Sequence, residues 1–330
     1  MESMGYLSKS QRYTLLKLKT SFTSIEDVQE NILDRVHNEP LKVKNIPDDA
    51  DQSELTFKYE WQNPSEPEQI EFENAGQELK YLKVTASCEF STRRVFDPSD
   101  SKKLLPKSAR VNIALIEVLF VEISNEIHVV IFSNEFYGLR RVKILIGETS
   151  IEPLTSTHNI HSDLFHWLFF KYIKEDYELD GHISIDNING FTGTVINQDH
   201  MFEGNSSQTA ELIITKAFIT NGHPITSIKV NFQISDASIN FYLSEISEGK
   251  ELGIVVEKGS SISSIMNNEE IEYVVPMYIF FYLIPTVLSL YKADERAFLS
   301  SVKTDFSKEI GIEVIKTIMA KNNISVDEVD

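Results

Sequence analysis

The chain has 330 residues and a formal net charge of −19, with 50 acidic side chains against 31 basic ones. At 42% hydrophobic and 25% charged residues its composition is that of a folded globular protein, long enough for one large domain or two ordinary ones. Thirteen glycines and one cysteine argue against glycine-rich dinucleotide and P-loop folds, and they exclude an intramolecular disulfide.

The amino-terminal MESMGYLSKSQRYTLLKLK lacks the apolar core of a signal peptide, so with only Cys88 the expected compartment is a reducing cytoplasm. Thr23 and Ser24 ahead of Glu26 and Asp27 form a helix start resembling a capping box. Ile25, Val28, Ile32 and Val36 follow at helical spacing and predict a short amphipathic helix ending near Asn38-Glu39-Pro40. Leu55, Phe57, Tyr59 and Trp61 alternate with polar residues as in a half-buried strand, and Leu79 to Phe90 reads as another. RVNIALIEVLFVEI, apolar on both faces for most of its length, suits a central strand; SNE is its turn and IHVVIFS its hairpin partner. LRRVKILIGE extends the sheet or forms a helix. The polar, turn-rich stretch from Glu148 to Ile160 marks the expected boundary between a β-rich domain, 1–155, and an α+β domain, 156–330.

The second half opens with a helix over Asp163 to about Glu175, apolar nearly all round and therefore expected to be buried. HISIDNI, AELIITKAFI, SIKVNFQI, SINFYLSE and ELGIVVE read as strands, with a hairpin at Ser235-Asp236-Ala237. Tyr273 to Tyr291 carries no charge, and Asp305 to Lys321 places Phe306, Ile310, Val314, Ile318 and Met319 on one helical face. The fold class is α+β with largely antiparallel sheet, a buried central helix and a helical C-terminus. About 20 apolar residues can cross a bilayer. Pro276, Pro285, the scattered tyrosines and the amphipathic segment that follows favour a buried or partner-covered helix instead.

Charge is unevenly spread. Asp48 to Glu78 holds ten acidic residues and one lysine, whereas Lys80 to Arg110 holds eight basic residues and three acidic. Arg93, Arg94, Lys102, Lys103, Lys107 and Arg110 flank the loop FDPSDSKKLLPKS, and Arg140, Arg141 and Lys143 follow Phe136 and Tyr137. Converging, these nine would contact phosphates, with aromatics for the bases; a solvated face, or one neutralised by the acidic segment, explains them equally. His158, His161 and His166 sit at a helix start, but their spacing matches no zinc motif, so neither a metal nor a cofactor is implied. Glu117 and Glu122 interrupt the central strand; the alternatives are structural ion pairs and a metal-dependent nuclease or other hydrolase. No Gly-x-Ser-x-Gly elbow, Walker loop, kinase set or zinc-protease helix is present.

SIKVNFQISDASINFYLSEISEGKELGI, followed by a helical C-terminus, resembles the strand-to-helix region of phage-exclusion proteins of the Rex A type. IEVLFVEISNEIHVVIFSN is similar to the β-rich half of Kiwa-type B proteins of antiphage defence. The likeness is one of pattern, covers less than a quarter of the chain in each case, and transfers no functional residue. It implies DNA or phage sensing and partner binding. The expectation is a cytoplasmic, non-enzymatic interaction protein that binds a protein partner and contacts DNA or RNA through the nine basic residues. A hydrolase, a membrane-associated effector using Tyr273 to Tyr291 and a homo-oligomer stay open.

Overall fold

Helix and strand each take 37% of the chain, segregated rather than alternating, which makes the fold α+β. The computed structural model describes all residues except 1–4, 44–45, 47–50, 52, 73–75, 175–176, 196–199, 246–250 and 329–330, and no side chain at 77, 101 or 102. Two units divide the chain: Arg12–Pro153, and Met1–Gln11 together with Leu154–Asp330. Within the second of these, Tyr6 bridges to Ser261, and the Gly5 and Leu7 amides bond the Ile265 and Ser260 carbonyls.

The first unit comprises β1 (Gln11–Leu18), α1 (Ile25–Asn31), β2 (Val36–Pro40), β3 (Thr56–Gln62), β4 (Glu68–Phe72), β5 (Gln77–Ser91), the small hairpin β6 (Phe96–Asp97) and β7 (Asp100–Leu104), α2 (Lys107–Arg110), β8 (Val111–Ile123), β9 (Glu126–Ile131), α3 (Phe136–Ile146) and β10 (Ile151–Glu152). The sheet order is β1-β9-β8-β5-β3-β2, with β10 on β1 and β4 on β5. Ser24 caps α1 in a true capping box with Asp27. The predicted continuation of that helix to Val36 does not occur, because Val36–Pro40 pairs with β3 and the ladder satisfies backbone that a helix would otherwise claim. Arg35 secures the break: its guanidinium donates to the last carbonyls of both helices, Asn31 O at 2.6 Å and Ile146 O. LRRVKILI of this stretch is helical and lies within α3, which is capped by Gly147 at φ +86°, where a Cβ would lie 2.7 Å from the Arg35 guanidinium. Ser124 and Asn125, both at positive φ, close the β8–β9 hairpin as a two-residue turn.

The second unit comprises α4 (Ser162–Lys174), β11 (Ile183–Val195), β12 (His200–Asn205), α5 (Ile213–Thr220), β13 (Ile225–Ile234), β14 (Ala237–Ser244), β15 (Leu252–Val256), β16 (Ser261–Ile262), α6 (Asn268–Tyr278), α7 (Ile284–Ala297) and α8 (Lys303–Asn322). Its strands run β12-β11-β13-β14-β15, with β16 on β14. AELIITKAFI, read as a strand, is instead a 3-10 turn followed by α5. Packing overrides its β-branched composition: Phe218 meets Phe191 and Phe202, and Lys216 reaches Glu313 on α8 at 2.7 Å. The central helix α4 buries Leu164 through Phe169 as expected. Its Trp167 indole and Lys171 both bond Asp294 on α7.

Residues Asn268–Asn322 form one helix, with π-turns at Ile279–Leu283 and Phe298–Val302. By length and composition it is apolar enough to cross a membrane, but 72% of its most apolar window is buried inside the protein. Tyr278 bonds Asp236 at 3.0 Å, the hydroxyl contact a packed tyrosine needs. Phe306, Ile310 and Val314 are buried, whereas Ile318, expected on the same face, is exposed.

Candidate interaction surface

Two long strands, β5 and β8, pair over their full overlap from Lys80↔Glu122 to Ser91↔Val111. Their shorter neighbour β9 covers only Val118–Ile123. The Phe132 amide makes one more bond, to Glu117 O, before the chain turns away. Ser133 drives the turn: its hydroxyl accepts from the Glu135 amide and its carbonyl from Thr14. The chain then enters α3. The first half of β8 is therefore left with β5 on one side and no described strand on the other. Here the expected central strand, apolar on both faces, proves to be central only from Val118 onward. Ile113 and Leu115 are 59% and 66% exposed, and on α3 Phe136 and Tyr137 are 71% and 66% exposed.

The nine basic residues do not act as a single group. Arg141 lies over the Phe90 ring, 4.2 Å from its centroid, with Tyr137 at 6.0 Å. Arg140 pairs with Glu39 at 3.6 Å. Burial works against the Glu39 carboxylate, yet hydrogen bonds from Tyr59 and Lys42, with the charges of Lys42 and Arg140, hold it below the ordinary range. Burial, reinforced by Glu39, pushes the Tyr59 phenol up to about 12. Lys107 pairs with Glu89 at 2.8 Å. Arg110 is fully buried and ties Leu105 O and Glu54 O together, so it is unavailable to a phosphate. Glu54 belongs to the acidic segment, which here neutralises part of the basic one. Lys143 is half-buried, Lys103 is exposed near Asp97, and the Lys102 side chain lies outside the described residues. Arg93 and Arg94 are exposed, and no described residue pairs with their guanidinium groups. They follow Phe90 by three and four positions, just beyond the Ser91↔Val111 end of the β5–β8 ladder.

No protein-family profile matches this chain, and no curated protein matches it.

The remaining chemical candidates have structural partners. Glu122 accepts from the Ile25 amide at 2.9 Å and so anchors the start of α1. Glu117 lies five positions away, hence on the opposite face of the strand, and the two carboxylates do not converge. His158 bonds Thr157 and Phe280 O, His161 bonds Asn159, and His166 bonds Ser162 O. Among the described residues no three His, Cys, Asp or Glu side chains are grouped to hold a metal ion. Burial pushes the Cys88 thiol up to about 12, which leaves it without the thiolate a nucleophile needs. The open half of β8 was missed from sequence. Its signal was the unequal hairpin, a long first arm beside a much shorter second one.

Proposed function

We propose that this chain is a non-enzymatic cytoplasmic interaction protein that binds a protein partner through the open end of its N-terminal unit. The observation that carries the reading is the exposure of Ile113 and Leu115 on the first half of β8 and of Phe136 and Tyr137 at the start of α3, with Arg93 and Arg94 exposed and paired to no described residue. Large apolar side chains rimmed by charge mark interaction surfaces, and aromatic residues and arginine are enriched in them. An antiphage-defence or mobile-element setting rests on the resemblance to Rex A-type and Kiwa-type B proteins alone.

A photo-crosslinking residue at Tyr137 tests the reading in native cells. Discrete protein adducts, absent when the crosslinker is placed at exposed Glu203, are expected; equal labelling at the two positions contradicts it. A second reading, contact with single-stranded nucleic acid, is favoured by the Arg141–Phe90–Tyr137 stack, which offers cation and ring faces to a base. It requires salt-sensitive binding of an oligonucleotide that Arg141→Ala weakens; no binding at low salt rules it out.

A further inference from the structure

We infer that α8 is a self-association surface through which two copies of the chain pair by an antiparallel helix contact. This contact lies wholly in the second unit and is independent of the open end of the N-terminal one. The helix is apolar on two opposite faces. Phe306, Ile310 and Val314 are buried, with Phe306 edge-on to Phe170 of α4. On the far side Ile312 and Ile315 are 43% and 55% exposed, and Met319 is half-buried. Lys308, Ile312, Ile315, Met319 and Asn322 follow one another at steps of four, three, four and three, with Asp305 three positions ahead. That alternation is the a/d spacing of a helix–helix seam. The three buried residues fall at its b, f and c positions, which point away from the seam.

The charges on the seam select a second copy and its direction. In a parallel pair each layer meets itself, so Lys308 would face Lys308 of the other copy and Asp305 would face Asp305. Reversal, with Ile312 over Ile315 of the other copy, gives every layer a complement. Lys308 lays its methylene stem along Met319, and Asp305 accepts from the Asn322 amide. Glu309 and Lys316 flank the seam on one side, seven residues apart, and reversal sets each against the other. Two Glu309–Lys316 pairs then close over the isoleucine layers. Both groups are free to do so. Lys316 is exposed and pairs with no described residue, and the Glu309 side chain stays 66% exposed beside Lys174. An anionic surface fits the face less well, because Asp305 and Glu309 stand among its lysines. A seam this short falls below the standard interface of about 1,600 Å², so the dimer is a weak one, with a dissociation constant roughly in the micromolar range.

Sedimentation equilibrium of the full chain, over a concentration series that spans the micromolar range, tests the contact. A reversible monomer–dimer equilibrium is expected. Ile315→Glu changes an exposed position, so it should abolish the dimer and leave the melting temperature of dilute protein unchanged. Glu309→Lys and Lys316→Glu should each weaken association about tenfold, since each disturbs two exposed pairs. The double variant restores both pairs with reversed sign and should recover most of the loss, a rescue that apolar stickiness alone would not give. A chain that stays monomeric throughout, a dimer that survives Ile315→Glu, or a double variant no tighter than the single ones overturns the inference.

Discussion

His158 donates its Nε2 proton to the Phe280 carbonyl at 2.8 Å, and the reason lies in the helix itself. The π-turn sends the Ile284 amide to Ile279 O, and Pro285, next in line, has no N–H. The Phe280 carbonyl is thereby left without its usual intrahelical donors, and a buried acceptor left unsatisfied costs about 1–3 kcal/mol. The imidazole supplies the missing bond. His158→Ala should lower unfolding stability by that amount in chemical denaturation. Pro285→Ala restores a nearby amide, so the double variant should lose less than the sum of the two, a coupling a double-mutant cycle reads directly.

His166 on α4 carries a second expectation. Burial, then the Lys303 ammonium, lowers its pKa below the ordinary imidazole value of 6.5, against the opposing Ser162 carbonyl and Asp163 carboxylate. The folded chain therefore holds the ring neutral where the unfolded chain takes up a proton. The stabilisation is complete above about pH 6.5 and is lost as the pH falls through the lowered folded value. Denaturation midpoints should fall between pH 7 and pH 5, and His166→Phe should flatten that slope. An unchanged slope would show that other groups control it.

Gly311 permits the close approach of α8 to α5. A Cβ there would stand 2.7 Å from Thr220 Cγ2, well inside contact distance. Gly311→Ala should destabilise the chain by about 1–3 kcal/mol through overpacking. Thr220→Ser removes the opposing methyl and should recover most of the loss, measured as the shift in melting temperature.

Arg110 and Arg141 should separate stability from binding. Arg110→Ala removes a fully buried side chain and the donors to Leu105 O and Glu54 O. A cost of about 2–4 kcal/mol is expected from the cavity and the lost bonds. Arg141→Ala, at a half-buried side chain stacked on Phe90, should leave the melt within about 1 kcal/mol while weakening the salt-sensitive oligonucleotide binding that the nucleic-acid reading requires. A variant at Arg110 that stays stable yet loses binding would reverse these assignments.

Local pattern was enough to read several elements. The Ser24–Asp27 box, the β8–β9 turn, the buried α4 and the hairpin at Ser235-Asp236-Ala237 depend on contacts between near neighbours in sequence, and their residues announce them. The same holds for the α+β class and for the reading of the uncharged run as a buried helix, since two prolines and four tyrosines suit a packed helix with bonded hydroxyls. Elements decided by distant partners were not legible. Val36 follows the helical spacing of α1 but belongs to a strand because β3 lies beside it. Ile213–Thr220 has strand-like composition but is a helix because Phe218 and Lys216 find partners on β11, β12 and α8.

The basic residues show the same division. Sequence alone determined that cations cluster between Lys80 and Arg110 and follow Phe136 and Tyr137. Only the tertiary structure decided which of them are spent: Arg110 buried under Glu54, Lys107 on Glu89, Arg140 on Glu39 and Arg141 on Phe90 and Tyr59, with Arg93 and Arg94 exposed just beyond β5. The physical reason is that a charge's availability depends on the carboxylates and carbonyls that folding brings to it. An edge, likewise, exists only where a neighbouring strand stops short.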